Sequence, residues 1–303
     1  MRNQENTAYK VSRNYFLNGS SECMSSMGYL VSPSDRKTML SWAYDIVDVC
    51  KIERHVAITA VSYLDRFLAD NPVQSTKALS SRRSYQLCFI VCLIIALKNC
   101  AGMKVESEFV TNVLCHGLYQ EKEIIEMEMI VLKGLRWRLN GPTGIDFVHA
   151  FLKLLPNQDD RKMKTLIKTA EIQVELAMGD FSLAVKEPSS IACSSIILAM
   201  NSHCGKSYSG VEVYPVDRFV WMQSVSMAAG IDFEGLTNSL VKNSLIENPS
   251  GYVTSSDSSE ASSRGSSRMS SFCDDECYNS YASLGAHSDE SIITCSYFSR
   301  NTK

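Results

Sequence analysis

The chain is short of structure breakers: 15 glycines and 7 prolines in 303 residues, too few for a fold of many short strands and tight turns. It lacks an excess of either charge. Thirty Lys+Arg stand against 33 Asp+Glu, a net of −3, which argues against a binder that works by neutralising phosphates with a basic face. No apolar run reaches the roughly 20 residues of a membrane span; the longest, Leu87 to Leu97, ends at Lys98 and reads as a buried helix. The opening Met-Arg-Asn-Gln-Glu has no apolar core of a secretory signal, so the eleven cysteines are expected to be reduced. Cys88/Cys92 and Cys273/Cys277 are spaced by three residues, and no CxxC or paired His lies nearby. No metal site is expected, and the thiols read as small buried hydrophobes. Five histidines fall in no nucleophile or ligand spacing, with His55, His116 and His149 expected at helix ends or faces. Gly205-Lys206-Ser207 follows a helix and has Met200 where a P-loop needs glycine. No enzyme and no cofactor is indicated.

What remains is helical patterning. Ala57, Val61, Leu64 and Leu68 form an i, i+4, i+7, i+11 stripe, and Met127, Ile130, Val131, Leu135 and Leu139 form another. Ser32-Pro33-Ser34-Asp35 supplies an N-cap, a proline at the first helical position and an acid at the third. Asn140-Gly141-Pro142 breaks the chain, and Thr143 with Asp146 can open the next helix. Five helices are expected near 35–50, 55–69, 82–99, 105–116 and 121–137. Five more are expected near 143–155, 159–179, 188–202, 213–228 and 233–246. The third of each set is its most apolar (Leu93–Leu97 and Ile196–Met200, 103 residues apart), so each set reads as four helices around a central one. The fold class is all-α.

From Asn248 the composition changes. Seventeen of the last 56 residues are serine, and seven acids against four bases give that stretch the whole net −3. Such a segment has too little apolar surface to offset its ordering entropy, and disorder is expected.

A few charges interrupt the apolar pattern. Asp65 sits beside Leu64 at the edge of the buried stripe, Arg36 precedes Trp42 on the helix before it, Lys98 ends the buried third helix, and Glu128 interrupts Met127–Val131. By spacing, Asp65 and Glu128 read first as solvated positions at a helix edge. A buried Arg36–Asp65 pair is the alternative, since a buried carboxylate needs a partner.

Together these residues resemble the cyclin box. Arg36 lies six residues before Trp42; Asp65 lies in Tyr63-Leu64-Asp65-Arg66-Phe67-Leu68; Leu87 follows Gln86 and precedes Lys98 by eleven; Glu128 lies in Met127-Glu128-Met129-Ile130-Val131-Leu132-Lys133. Trp137-Arg138-Leu139-Asn140-Gly141-Pro142-Thr143 is similar to the family's junction between two folds, and Glu187-Pro188-Ser189-Ser190-Ile191-Ala192 to the third helix of its second fold. The resemblance covers about residues 21–247. It implies tandem five-helix cyclin folds, with an N-terminal segment 1–20, a cyclin box 21–141, a second fold 142–247 and the acidic Ser-rich tail 248–303.

By the same resemblance, the chain has no catalysis of its own. The resemblance implies that it binds a cyclin-dependent protein kinase, holds that kinase's αC helix inward and so regulates the cell cycle, and the expected location is the nucleus and cytoplasm. Lys98, Glu128, Trp137, Leu139 and Ile95 are the implied kinase contacts; Arg36, Asp65, Leu87 and Trp42 are implied structural hallmarks. Two departures stand out. The family's peptide-docking patch around the first-helix arginine is here Asp35-Arg36-Lys37-Thr38-Met39, and the loop from Asp70 to Arg83 is about seven residues longer than in familiar members. In the tail, Ser258 and Ser262 are candidate phospho-acceptors, and ubiquitin-ligase machinery is a candidate partner there. The fold also serves transcription adaptors that act without a kinase. That alternative would need a basic face, and the local cluster is Arg161, Lys162, Lys164 and Lys168. No nucleic-acid or membrane partner is expected.

Overall fold

The structure, a computed structural model, describes residues 1–11, 14–16, 31–155, 160–204, 215–231 and 233. Helices follow one another as α1 (Arg2–Asn6), α2 (Pro33–Val49), α3 (His55–Asp70), α4 (Pro72–Leu79), α5 (Arg82–Cys100), a π-helical segment (Phe109–Leu114) and α6 (Glu121–Gly134). Then come α7 (Gly144–Leu152), α8 (Asp160–Gly179), α9 (Phe181–Ala184), α10 (Pro188–Cys204) and α11 (Pro215–Ala229). No strand occurs among the described residues. The chain divides into two compact units, residues 11–139 and residues 1–10 together with the described residues from 140 onward.

In the first unit α5 packs against α2, α3, α4 and α6. Every side chain from Tyr85 to Leu97 is buried. Helix α5 is long and apolar enough to cross a membrane by length and composition, but its apolar surface is covered by its four neighbours. Each large side chain removed from water contributes about 1.5–3 kcal/mol. The starts are set locally: the Asp35 carboxylate accepts from the Ser32 N–H at 2.7 Å and its hydroxyl at 2.8 Å, and the Ser84 N–H donates to Ser81 Oγ.

Two expectations need correction here. The segment between Asp70 and Arg83, read as a long loop, is mostly helix α4: Pro72 fits the first helical position, where its missing N–H costs nothing, and Ser75, Ala78 and Leu79 are buried. The fourth helix is a π-helical segment. Its i→i−5 closure, with the Cys115 N–H donating to the Val110 carbonyl at 2.9 Å, brings residues five apart nearly above one another. That is the spacing of buried Phe109/Leu114 and Val110/Cys115.

Asp65 is not a solvated edge position. Its carboxylate is 1% exposed and takes a two-pronged contact from the fully buried Arg36, Nε to Oδ1 at 2.9 Å and Nη2 to Oδ2 at 2.7 Å. The Tyr15 hydroxyl donates to the same Oδ1 at 2.7 Å. The ion pair ties α2 to α3, and Tyr15 brings in the segment before α2.

In the second unit α10 packs against α7, α8 and α9, with Ile196, Ile197, Ala199 and Met200 buried. Thr143 and Asp146 cap α7 reciprocally, with Thr143 N–H to Asp146 Oδ2 at 2.7 Å and Asp146 N–H to Thr143 Oγ1 at 3.3 Å. Trp221 on α11 is fully buried and donates from Nε1 to the Phe151 carbonyl at 2.9 Å. The first residues of the chain belong to this unit. The buried Glu5 carboxylate accepts from the Ser189 N–H at the start of α10, at 2.9 Å. An acid there meets the positive end of the helix. Arg2 bonds Glu5, Glu187 and Ser189. All but Phe233 of the expected helix 233–246, and the tail with Ser258 and Ser262, lie outside the described residues.

Two predictions follow from the buried polar groups. Asp65→Ala or Arg36→Ala should each lower unfolding free energy by about 3–5 kcal/mol, because either leaves a charge buried alone, whereas Arg36→Met with Asp65→Leu together should lose far less. Urea unfolding of the three variants checks this. Burial also raises the hydroxyls of Tyr15 and Tyr85 well above 10.0 and lifts the thiols of Cys88 and Cys115 from 9.0 to about 12. The unfolded chain therefore releases these protons first, so stability is intact below pH 9.0 and falls as pH rises past it. Melting temperature under reducing conditions should drop from about pH 9 upward, more steeply beyond about pH 10.

Candidate functional site

Lys98 occupies the last turn of α5 and Glu128 the middle of α6. The lysine suits the negative end of its helix, and its Nζ lies 2.6 Å from Glu128 Oε1. Glu128 is thus not simply solvated: its side chain is 21% exposed and that of Lys98 43%. On α6 a helical period places Ile125, Glu128, Met129 and Leu132 along one edge. Leu132 is buried there, while Ile125 (54%) and Met129 (40%) stand in solvent. The result is a charge pair, each member satisfied by the other, bordered by uncovered apolar side chains.

Helix α6 ends at Gly134, three residues before the expected boundary. A Cβ at Gly134 would come 2.5 Å from Phe67 Cε2, so α6 approaches α3 this closely only because the residue is glycine. Beyond it the Trp137 N–H donates to the Leu132 carbonyl and the Arg136 N–H to that of Lys133, both at 3.0 Å. This is the paired closure of a Schellman turn. Arg136 and Trp137 both hold positive φ, 53° and 57°, which costs each non-glycine residue about 1–2 kcal/mol.

Helix α3 holds the strained turn. Arg66 Nη2 donates to the Arg138 carbonyl and Tyr63 Oη to the Leu139 carbonyl, each at 2.9 Å, with the Arg66 guanidinium over the Tyr63 ring. Trp137 is left 61% exposed. Leu139 is half-buried.

The remaining site candidates fall elsewhere. Ile95 is 3% exposed and belongs to the core, because α5 is covered on all sides; it offers no surface. Leu87 and Trp42 are buried, and Trp42 meets Phe89 edge to face. At the altered docking patch Asp35 caps α2, the Thr38 hydroxyl donates to the Ser34 carbonyl, and Met39 is buried. Spacing alone missed Tyr15, Ile125, Met129 and Gly134. The only advance signal was the pairing of Ile125 with Met129 at i, i+4. Among the described residues, no group of three or more His, Cys, Asp or Glu could hold a metal ion. The arrangement is suited to binding a protein surface.

Comparison with known proteins agrees with this architecture. Residues 1–140 match the family model "Cyclin, N-terminal domain". G1/S-specific cyclin-D1 of Mus musculus is 30% identical over 173 residues, covering 56% of this chain and 55% of that protein. G1/S-specific cyclin-D2 of Rattus norvegicus is 31% identical over 178 residues, covering 58% and 57%. The chain therefore spans a little over half the length of these relatives. The X-ray structure of a viral cyclin from herpesvirus saimiri superposes with a TM-score of 0.53 at 18% identity, over 70% of this chain and 83% of that one, and so shares its fold. Residues 1–140 are therefore a cyclin N-terminal domain by the family match and by the relatives' similarity.

Proposed function

We propose that the chain is the regulatory subunit of a cyclin-dependent Ser/Thr protein kinase, binding around the kinase's αC helix and holding it inward. The observation that carries this reading is the Lys98–Glu128 pair at 2.6 Å, bordered on α6 by exposed Ile125 and Met129, with Trp137 exposed on the turn after that helix. Apolar side chains give a partner helix area to cover, and the charges fix its register. Only the inward αC lets its glutamate pair with the ATP-contacting lysine. A subunit that binds that state better shifts its population by the difference in affinity and no more; moving it from about 1:99 to 99:1 takes roughly 10⁴-fold discrimination. The relatives' names, G1/S-specific cyclins, favour a kinase of that transition. A kinase-free adaptor role gains no specific support, since Arg161, Lys162, Lys164 and Lys168 are exposed along α8 beside Asp160.

Replacing Lys98 and Glu128 together by alanine should abolish activation of a co-expressed kinase. Helical signal and melting temperature should hardly move, because an exposed pair contributes about 0–1 kcal/mol. Trp137→Ala should weaken capture of the kinase by about 30-fold, as a central aromatic anchor does. Full activation by either variant sinks the assignment. For the tail, we propose control of turnover through phosphorylated serines such as Ser258 and Ser262 read by a ubiquitin ligase. Deleting residues 249–303 should lengthen half-life in a pulse-chase while kinase binding persists.

A further inference from the structure

Helix α6 ends in a basic, aromatic knuckle. Residues 129–145 carry three bases, Lys133, Arg136 and Arg138, and no acid. All three are exposed, as is Trp137 between the two arginines. Glu128, the acid before this stretch, is taken by Lys98, and Asp146, the acid after it, caps α7. Among the described residues no carboxylate pairs with any of the three bases. The backbone beneath them is fixed: Arg136 and Trp137 hold positive φ, and Arg66 and Tyr63 grip the next two carbonyls. Strain of that kind persists only where its surroundings over-determine it, and it clusters where ligands are clamped. An indole presented on such a turn loses little freedom when it is covered.

The chain carries a segment of matching chemistry. Asp274-Asp275-Glu276 is the single run of three consecutive acids in the sequence. Residues 270–281 hold those acids, no base, and the aromatics Phe272, Tyr278 and Tyr281. Three negative charges among rings thus match three positive charges around one ring. Carboxylates suit the planar fork of a guanidinium, and aromatic rings pack on an indole at its edge or offset on its face. Asp274 lies 41 residues beyond Phe233, the last described residue. Such a length of chain reaches at most roughly 140 Å, several times the width of a domain of about 100 residues. Tethering supplies an effective concentration of roughly millimolar, so a contact that would be weak between separate molecules is populated here.

We propose that the acidic aromatic segment 270–281 docks on the knuckle from Lys133 to Arg138 in the free chain, covers Trp137, and so competes with the kinase for that surface. The competition rests on the kinase reading given under Proposed function; the docking does not. With the segment seated about two-thirds of the time, the competent fraction is about one third and the apparent affinity for a kinase falls about threefold.

The test uses the full chain and needs no kinase for its first arm. Of the three tryptophans, Trp42 and Trp221 are buried, so acrylamide, a neutral quencher, reads Trp137. Quenching should be about threefold stronger when Asp274→Asn, Asp275→Asn and Glu276→Gln are combined than in the wild type. Arg136→Gln with Arg138→Gln should give the same rise. Raising salt from about 0.1 M to 1 M, where the Debye length falls from about 10 to 3 Å, should bring the wild type toward the variants without any substitution. Equal quenching of wild type and acid variant at low salt overturns the proposal, as does a wild-type value insensitive to salt. Protection of Trp137 that grows with protein concentration also overturns it, since a second copy would then supply the segment. In the second arm the acid variant should capture the kinase about threefold more tightly than the wild type. Stronger quenching with unchanged kinase affinity overturns the competition. Stronger quenching in a chain that captures no kinase supports the docking and removes the regulatory-subunit reading instead.

Discussion

The buried contact among Arg36, Asp65 and Tyr15 sets the rotational phase of α3. Once Asp65 must face α2, the positions around it on a helix are fixed as well. Leu64, Phe67 and Leu68 fall to the core. Tyr63 and Arg66 are turned toward the strand of chain after α6, where they hold the carbonyls of Leu139 and Arg138. A single carboxylate without its guanidinium would be too costly to bury, so the pair selects one orientation of α3 against alternatives of similar apolar content. The exposed Trp137 is a downstream result of that choice.

The surface around Lys98 and Glu128 follows a different rule. Its two charges neutralise one another at the edge of an apolar patch, so the free protein meets no large electrostatic cost. A partner that covers the patch must replace the water on the remaining donors and acceptors with hydrogen bonds of its own. Apolar area supplies attraction there, and the polar pair penalises a partner in the wrong register.

The helical class, the central α5 and α10 and the caps at Ser32 and Thr143 were legible because each rests on local spacing. Asp65 was not legible by spacing: a period that places it at the stripe's edge cannot say that α2 closes over that edge, so the buried pair with Arg36 stood only as the alternative to a solvated acid. Helix α4 was hidden for a related reason, since eight residues with one short buried stripe carry little periodicity and a proline serves turns and helix starts alike. The π-helical segment was read as an α-helix because its apolar residues fit neither period well over so short a stretch. Ile95 shows the opposite failure. The resemblance implied a kinase contact there, while the covering of α5 on every side places it inside.

The second unit begins before the first in sequence. Arg2 and Glu5 are anchored at the start of α10, more than 180 residues downstream, while residues 11–139 form the other compact unit between the two halves. The unit is therefore discontinuous along the gene: excising it as one contiguous piece from Asn140 onward discards the helix that caps α10. It also cannot be completed during synthesis until α10 has emerged, so α1 must wait, unpaired, through the making of the entire intervening unit.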